Sequence, residues 1–427
     1  MKLLIKQGKI VDPVSGIGGK MDILIEDGRI SCIGSQLEDR YAQVVDARGF
    51  AVCAGLVDMH VHLRDPGLTY KEDIVTGTAA AAHGGFTSIA CMANTKPVAD
   101  NPETIRYIRE KAQQEGSGVQ VWPVGAVTVG LQGEQHTDFK ALKAAGAVAL
   151  SDDGVPVMDA NLMRDALIMA GRQKLPILCH EEDSTLADNY AVNEGRVSRQ
   201  LGIHGRPAIA EEIMIMRDAM LAEETGQPVH ICHISTAKSV EIVRRYKRRG
   251  VQITCETCPQ YFTLTHEQVL LQGSMARVNP PLRPTKDVEA IVEGLRDGTI
   301  DCIVTDHAPH SAEEKAKPLT EAPSGMVGLE TSLAIALTQL YHTGKMSLAD
   351  VIRKMTINPA RILRLRKGSL GMGADADLTI FDPNEAWTID RGHFRSKGRN
   401  TPFAGMQVKG KVKYTIVGGN IIYRYDA

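Results

Sequence analysis

Leu56-Val57-Asp58-Met59-His60-Val61-His62-Leu63-Arg64-Asp65-Pro66-Gly67 opens on an apolar run and ends on a Pro-Gly stop, so it reads as a short strand closed by a turn. Side chains alternate along a strand. His60 and His62 therefore project from one face, one pleat apart, and Arg64 follows in the same alternation. Two imidazoles on one side of a strand end can hold one metal ion. An isolated His-x-His on a strand is also a common accident, so the other His and Asp residues decide the matter.

The chain has 427 residues, 43% hydrophobic and 23% charged, as expected for a globular protein with a large core. That length suits two or three domains, or one large barrel with an appendage. A formal net charge of -2 points to neither nucleic acid nor an anionic membrane surface as partner. The basic run Arg244–Arg249 lies late in a helical pattern and reads as a solvated face, with cations at a helix C-terminus. The N-terminal MKLLIKQGKI is too short and too charged for a signal peptide or a membrane span, so a cytoplasmic location is expected. Cysteines are scattered, and Cys179 and Cys232 each precede a histidine inside an apolar run, which suits reduced, buried thiols. Cys255-x-x-Cys258 has no second pair and is taken as structural.

Both ends read as β structure. Asp22–Glu26, the turn Asp27-Gly28 and Arg29–Ile33 form a hairpin signal, and Asp377–Phe381, Val412–Val417 and Asn420–Tyr423 repeat the pattern. The expectation is a small β-sandwich domain assembled from residues 1–52 and 363–427. Between them, 53–362 alternates apolar runs with helical spacing. The runs are Leu56–His60, Phe86–Met92, Val119–Val124, Ala147–Leu150, Pro176–Cys179, Pro228–Cys232, Val251–Cys255 and Asp301–Thr305. Helices are expected over Pro102–Glu115, Asn161–Gly171, Ala208–Thr225 and Ser239–Arg249. This alternation predicts an α/β fold, a (β/α)8 TIM-like barrel. A doubly wound sheet is the alternative, but neither Gly-rich phosphate loop occurs in the required context.

Barrel active sites lie at the C-terminal strand ends. There the first strand offers His60 and His62, the fourth Asp152 with Asp153-Gly154 as the turn beyond it, the fifth His180, the sixth His233 and the eighth Asp306. Six N/O ligands exceed what one catalytic zinc uses, and suit two metals sharing a bridging group. Zinc is preferred because imidazole suits it; cobalt, manganese or iron are alternatives.

Asp58–Gly67 and Thr305-Asp306-His307-Ala308-Pro309-His310, with Lys315, carry a resemblance that spans essentially the whole chain. Met92–Thr95, Asn279–Arg283, Ser324–Thr331 and Asn358-Pro359-Ala360 with Gly368–Asp377 add to it. The sequence resembles the metal-dependent amidohydrolases, and within them the long bacterial dihydroorotases. The resemblance implies two zinc ions per subunit, one on His60 and His62, the other on His180 and His233, with Asp152 as bridge. Asp306 would contact the metals and act as general acid/base. Many relatives bridge with a carboxylated lysine; no lysine ends the fourth strand here, and Lys143 is the fallback. The implied substrate pair is N-carbamoyl-L-aspartate and L-dihydroorotate, in pyrimidine synthesis.

Arg64 suits the substrate carboxylate, since its planar fork can make two parallel hydrogen bonds. Asn94, Asn279, His310, Ser324 and Gly325 complete the implied substrate contacts. Ala308–Gly325 is long and polar enough to form a lid. The remaining histidines are read as structural, with His230 directed away from His233 toward the helices by strand alternation. The resemblance further suggests a homodimer and an association with aspartate transcarbamoylase. A hydantoinase or allantoinase is the near rival; a non-catalytic partner of aspartate transcarbamoylase is the distant one.

Overall fold

The computed structural model describes residues 2–188 and 190–425. Five strands come first: β1 (Lys2–Val11), β2 (Gly18–Glu26), β3 (Arg29–Gly34), β4 (Gln43–Asp46) and β5 (Ala51–Ala54). The middle carries β6 (Leu56–Val61), β7 (Phe86–Cys91), β8 (Gln120–Gly125) and β9 (Ala149–Leu150). It continues with β10 (Leu178–Cys179), β11 (Val229–Ile231), β12 (Ile253–Thr257) and β13 (Cys302–Ile303). The chain finishes with β14 (Leu378–Thr388), β15 (Gln407–Val417) and β16 (Asn420–Arg424).

Strands β6 to β9 pair in order, and so do β10 to β13, all parallel. Parallel bridges Leu150↔Ile177 and Val61↔His307 join the two halves on both sides, so the ring closes as the expected barrel. Every residue of β6 and β7 is buried, as parallel strands covered on both faces require. Helices Pro102–Glu115, Ala160–Gln173, Ile209–Thr225 and Ala237–Arg248 lie where the spacing puts them. In the first of these, Asn101 accepts from Thr104 N–H and Pro102 needs no partner, while Ile105, Ile108 and Ala112 bury one face. The basic run at the end of Ala237–Arg248 is ion-paired: Arg244 with Asp297 at 2.7 Å, Lys247 with Asp301 at 2.6 Å, Arg249 with Glu223 at 2.7 Å.

The terminal strands form one eight-stranded sheet in the order β16-β15-β14-β5-β1-β2-β3, with β4 also on β1. The branch is β1, whose Leu3–Lys6 pairs with β4 and whose Lys9–Ile10 pairs with β5 on either side of a bulge. The expected small β domain is thus one continuous hydrogen-bonded sheet rather than two separately bonded ones. It has its own apolar core, including Ile5, Ile23, Ile25, Val52, Ile380 and Ile416. All eight cysteines are free, and no helix among the described residues is long and apolar enough to cross a membrane.

Gly55 joins this sheet to the barrel. Its N–H donates to Asp377 O at 2.9 Å, and a Cβ there would sit 2.1 Å from Thr87 Oγ1. Gly55→Ala should therefore lower stability by about 1–3 kcal/mol through overpacking. Chemical denaturation should show this loss, with Thr87→Ala restoring part of it.

Candidate active site

The ends of β6, β10 and β11 and the segments after β9 and β13 deliver the buried side chains His60, His62, His180, His233, Asp153 and Asp306 to one place. Asp153 is the centre. Its Oδ1 lies 3.3 Å from His60 Nε2, 3.5 Å from His180 Nδ1 and 3.6 Å from His233 Nε2. Its Oδ2 lies 3.4 Å from His62 Nε2. Asp306 Oδ1 reaches only the first pair, at 3.2 Å from His62 Nε2 and 3.6 Å from His60 Nε2. On the other side His180 Nδ1 and His233 Nε2 are 3.0 Å apart. Two groups result, His60–His62–Asp306 and His180–His233, with Asp153 between them.

The bridge predicted at Asp152 is therefore one residue off. Asp152 turns away: its Oδ1 accepts from Val127 N–H at 2.7 Å and Thr128 N–H at 3.1 Å, and its Oδ2 from the Thr128 hydroxyl. Strand β9 ends at Leu150, so alternation does not extend to either aspartate, and the residue read as turn is the one that faces the histidines. Lys143 is also excluded as a bridge, because it sits on helix Phe139–Ala145 with its ammonium donating to Gln173 O.

Outer partners fix the imidazole rings. His60 Nδ1–H donates to Glu256 Oε1 at 2.7 Å, which leaves the Nε2 lone pair facing inward. Asn94 Oδ1 lies 2.9 Å from His62 Nδ1 and plays the same part there. His180 turns the other way, with Nε2 3.4 Å from Glu182 Oε2 and 3.3 Å from Asn279 Nδ2. Glu182 in turn accepts from Arg206 Nη1 at 2.7 Å and Asn279 Nδ2 at 2.7 Å. Below this layer His230 Nε2 meets Glu256 Oε2 at 3.1 Å, so His230 points toward Glu256 and His60 rather than to the helices. His233 has φ 29°, a left-handed backbone that breaks the alternation on which that reading relied.

Burial alone would push the Asp153 carboxyl up, but His60, His180 and His233 hold it well below the usual carboxylate range. For His60, burial is outweighed by Asp153 and Glu256, which raise it well above an ordinary imidazole. His62 is lowered, by burial and by the Arg64 charge. His60 Nε2 and Asp153 Oδ1 have no hydrogen-bond partner despite complete burial. A buried imidazole nitrogen and a carboxylate oxygen 3.3 Å apart, neither hydrogen-bonded, are what a divalent cation would satisfy, and the set of imidazoles and carboxylates suits one. His60–His62–Asp306 and His60–Asp153–His233 each have ligand atoms close enough to share an ion.

Of the predicted substrate residues, Asn94 and Arg64 lie near His62 and Asn279 lies beside His180. Arg64 (φ 59°) donates Nε–H to Pro309 O at 3.3 Å, and its charge lowers both His62 and His310. His310 is buried, donating Nε2–H to Ser324 O at 2.8 Å and accepting from Lys71 Nζ at 3.4 Å. Burial, Arg64, Lys71 and Lys315 hold its pKa down to about 3, so the ring is neutral. Gly325 packs so close that a Cβ would lie 3.0 Å from His310 Nε2, at φ 135°. Asn94 and Asn279 are in place but committed to His62 and to His180–Glu182. Reading the sequence missed Glu256, Glu182 and Arg206; an acidic residue inside the run Ile253–Thr257 is the one signal available for Glu256.

Comparison with known proteins agrees. Residues 49–239 match the model of a family described as Dihydro-orotase-like. A dihydroorotase of Acetivibrio thermocellus is 50% identical over 99% of both chains. One of Pelotomaculum thermopropionicum is 52% identical over 99% of this chain and 98% of its own. Among solved structures, an L-hydantoinase (dihydropyrimidinase) from Arthrobacter aurescens superposes with TM-score 0.90 at 27% identity, covering 100% of this chain and 96% of its own.

Asp153→Asn should abolish bound metal and activity together, because it removes the one carboxylate among the described residues that reaches all four imidazoles. Asp152→Ala should keep the metal and lower stability by about 1–2 kcal/mol, as expected for losing the acceptor of two backbone N–H groups. Glu256→Gln should weaken metal affinity roughly 10–100-fold, read by chelator competition.

Proposed function

The chain belongs to the dihydroorotase family, and on that premise we propose that the Asp153-centred cluster carries the reversible ring closure of N-carbamoyl-L-aspartate to L-dihydroorotate, with loss of water. The supporting observation is the single carboxylate shared by two imidazole pairs, with an arginine beside one of them. His60 and His62 would hold one zinc ion and His180 and His233 a second, with Asp153 common to both. Bound there, such a pair supplies Lewis-acid polarisation of the amide carbonyl and a water acidic enough to attack near neutral pH.

The protein's own groups do the rest. In the hydrolytic direction Asp306, beside His62 and His60, accepts the proton of the attacking water and returns it to the departing ring nitrogen. Arg64 binds the ring carboxylate, with its fork oriented by the Pro309 carbonyl. Neutral His310 lines the same pocket and adds no charge that would compete with Arg64. Asn279 and Asn94 hold His180 and His62 while bordering the substrate. Hydantoin and allantoin lack the carboxylate, so Arg64 is the group that separates this reaction from its near rivals.

Arg64→Lys should raise KM for dihydroorotate roughly 10–100-fold, the loss of one charge-assisted hydrogen bond. Parallel assays on dihydroorotate, hydantoin and allantoin should show turnover of the first; turnover of the other two alone would overturn the reading.

A further inference from the structure

The segment Ala308–Gly325 is tied to its surroundings by backbone and side-chain hydrogen bonds. Ala308 N–H donates to Met326 O at 2.8 Å and Gly325 N–H to Arg277 O at 3.0 Å. Arg277 Nη1 holds Leu319 O at 2.6 Å, and Asn400 Nδ2 bonds both Ala308 O and Gly325 O at 3.0 Å. Ala308–Gly325 is thus held at both ends and at Leu319 in this conformation.

Inside it lies Lys315, 2% exposed. Its ammonium donates to Arg277 O at 3.3 Å, Pro323 O at 3.0 Å and Gly325 O at 3.2 Å. A buried ammonium is costly unless all its donors are met, and here three N–H groups meet three carbonyls. Two of those carbonyls flank Ser324, whose own carbonyl accepts from His310. The line therefore runs from Lys315 through the backbone on either side of Ser324 to His310 and Arg64.

We propose that Lys315 is a positioning residue for the substrate-carboxylate pocket, its ammonium clamping the carbonyls around Ser324 so that His310 stays turned beside Arg64. This rests on the reading of Arg64 as the carboxylate binder. Charged or titratable groups facing Lys315 are Arg277, Glu314 and His310. Burial and the Arg277 charge push its pKa down to about 7, against Glu314. Below that pH three N–H groups serve three acceptors. Above it the neutral amine keeps two, and its lone pair faces a carbonyl, so the clamp loosens as pH rises.

The test uses the metal-loaded full chain with Lys315→Met, Lys315→Gln, Lys315→Arg and Arg64→Lys. KM and kcat for dihydroorotate are followed from about pH 6 to about pH 9, across the range in which a lowered lysine titrates, with metal content and thermal stability in parallel. Lys315→Met and Lys315→Gln should raise KM about tenfold at the low end of this range while kcat changes less than about twofold and metal is retained. Wild-type KM should climb as Lys315 loses its proton, and Lys315→Arg, which stays charged, should flatten that climb. Should Lys315→Met fail to fold, Lys315→Gln and the comparison of wild type with Lys315→Arg carry the test. Unchanged KM in Lys315→Met and Lys315→Gln beside a raised KM in Arg64→Lys overturns the clamp alone. Unchanged KM in Arg64→Lys overturns the pocket. A climb that persists in Lys315→Arg also overturns the clamp.

Discussion

One carboxylate, that of Asp153, lets four buried imidazoles share a space that their lone pairs and partial charges would otherwise empty. Three of its contacts fall on one oxygen and one on the other. Asp306, which sits beside His60 and His62, and the His180–His233 contact divide the site into two halves. A second tier of acceptors makes the arrangement directional. Glu256 takes the outer N–H of His60 and Glu182 faces the outer nitrogen of His180, so each ring presents a lone pair to the centre. Glu182 is itself offset by Arg206, and Glu256 is met by both His60 and His230, so neither carboxylate in this tier is left without a partner.

The backbone contributes strain where the chemistry converges. Arg64, His233 and Asp306 all sit at positive φ, 59°, 29° and 46°, although none is glycine. Such residues cost of order 1–3 kcal/mol each and persist only where the surroundings over-determine them. Here the barrel does so. Asp58 accepts from His60 N–H at 3.0 Å and from Thr305 N–H at 3.1 Å, tying the first strand to the residue before Asp306. His62 N–H donates to His307 O at 2.9 Å across the same seam. The left-handed residues mark where regular strand geometry ends at the mouth and the site begins.

That geometry also explains what could be read from the sequence. His60, His62, His180, His233 and Asp306 were legible because each ends or follows an apolar run, and barrel closure brings run ends together whatever the loops do. The central aspartate was not legible. Asp152 and Asp153 both lie past the end of β9 at Leu150, where no alternation says which faces inward. His230 was misdirected for a related reason: counting from His233 assumes a regular strand, and φ at His233 is left-handed. The outer carboxylates escaped because a buried Glu is visible only when its partner is known, and His60 lies 196 residues before Glu256.

An aspartate at the centre has a consequence that a lysine would not. A lysine becomes an anionic bridge only after a carboxyl group has been added to it, so its site needs both a folded barrel and a second reactant. Asp153 is ionised by its own chemistry, and the histidines around it keep it so despite burial. The negative charge is therefore present as soon as β6, β10 and β11 bring His60, His180 and His233 into place. Its short side chain demands that the backbone after β9 approach the centre closely. Asp152 anchors that backbone through Val127 and Thr128, the segment after β8. Asp152 thus holds the backbone that presents Asp153, and the adjacent pair divides anchoring from charge.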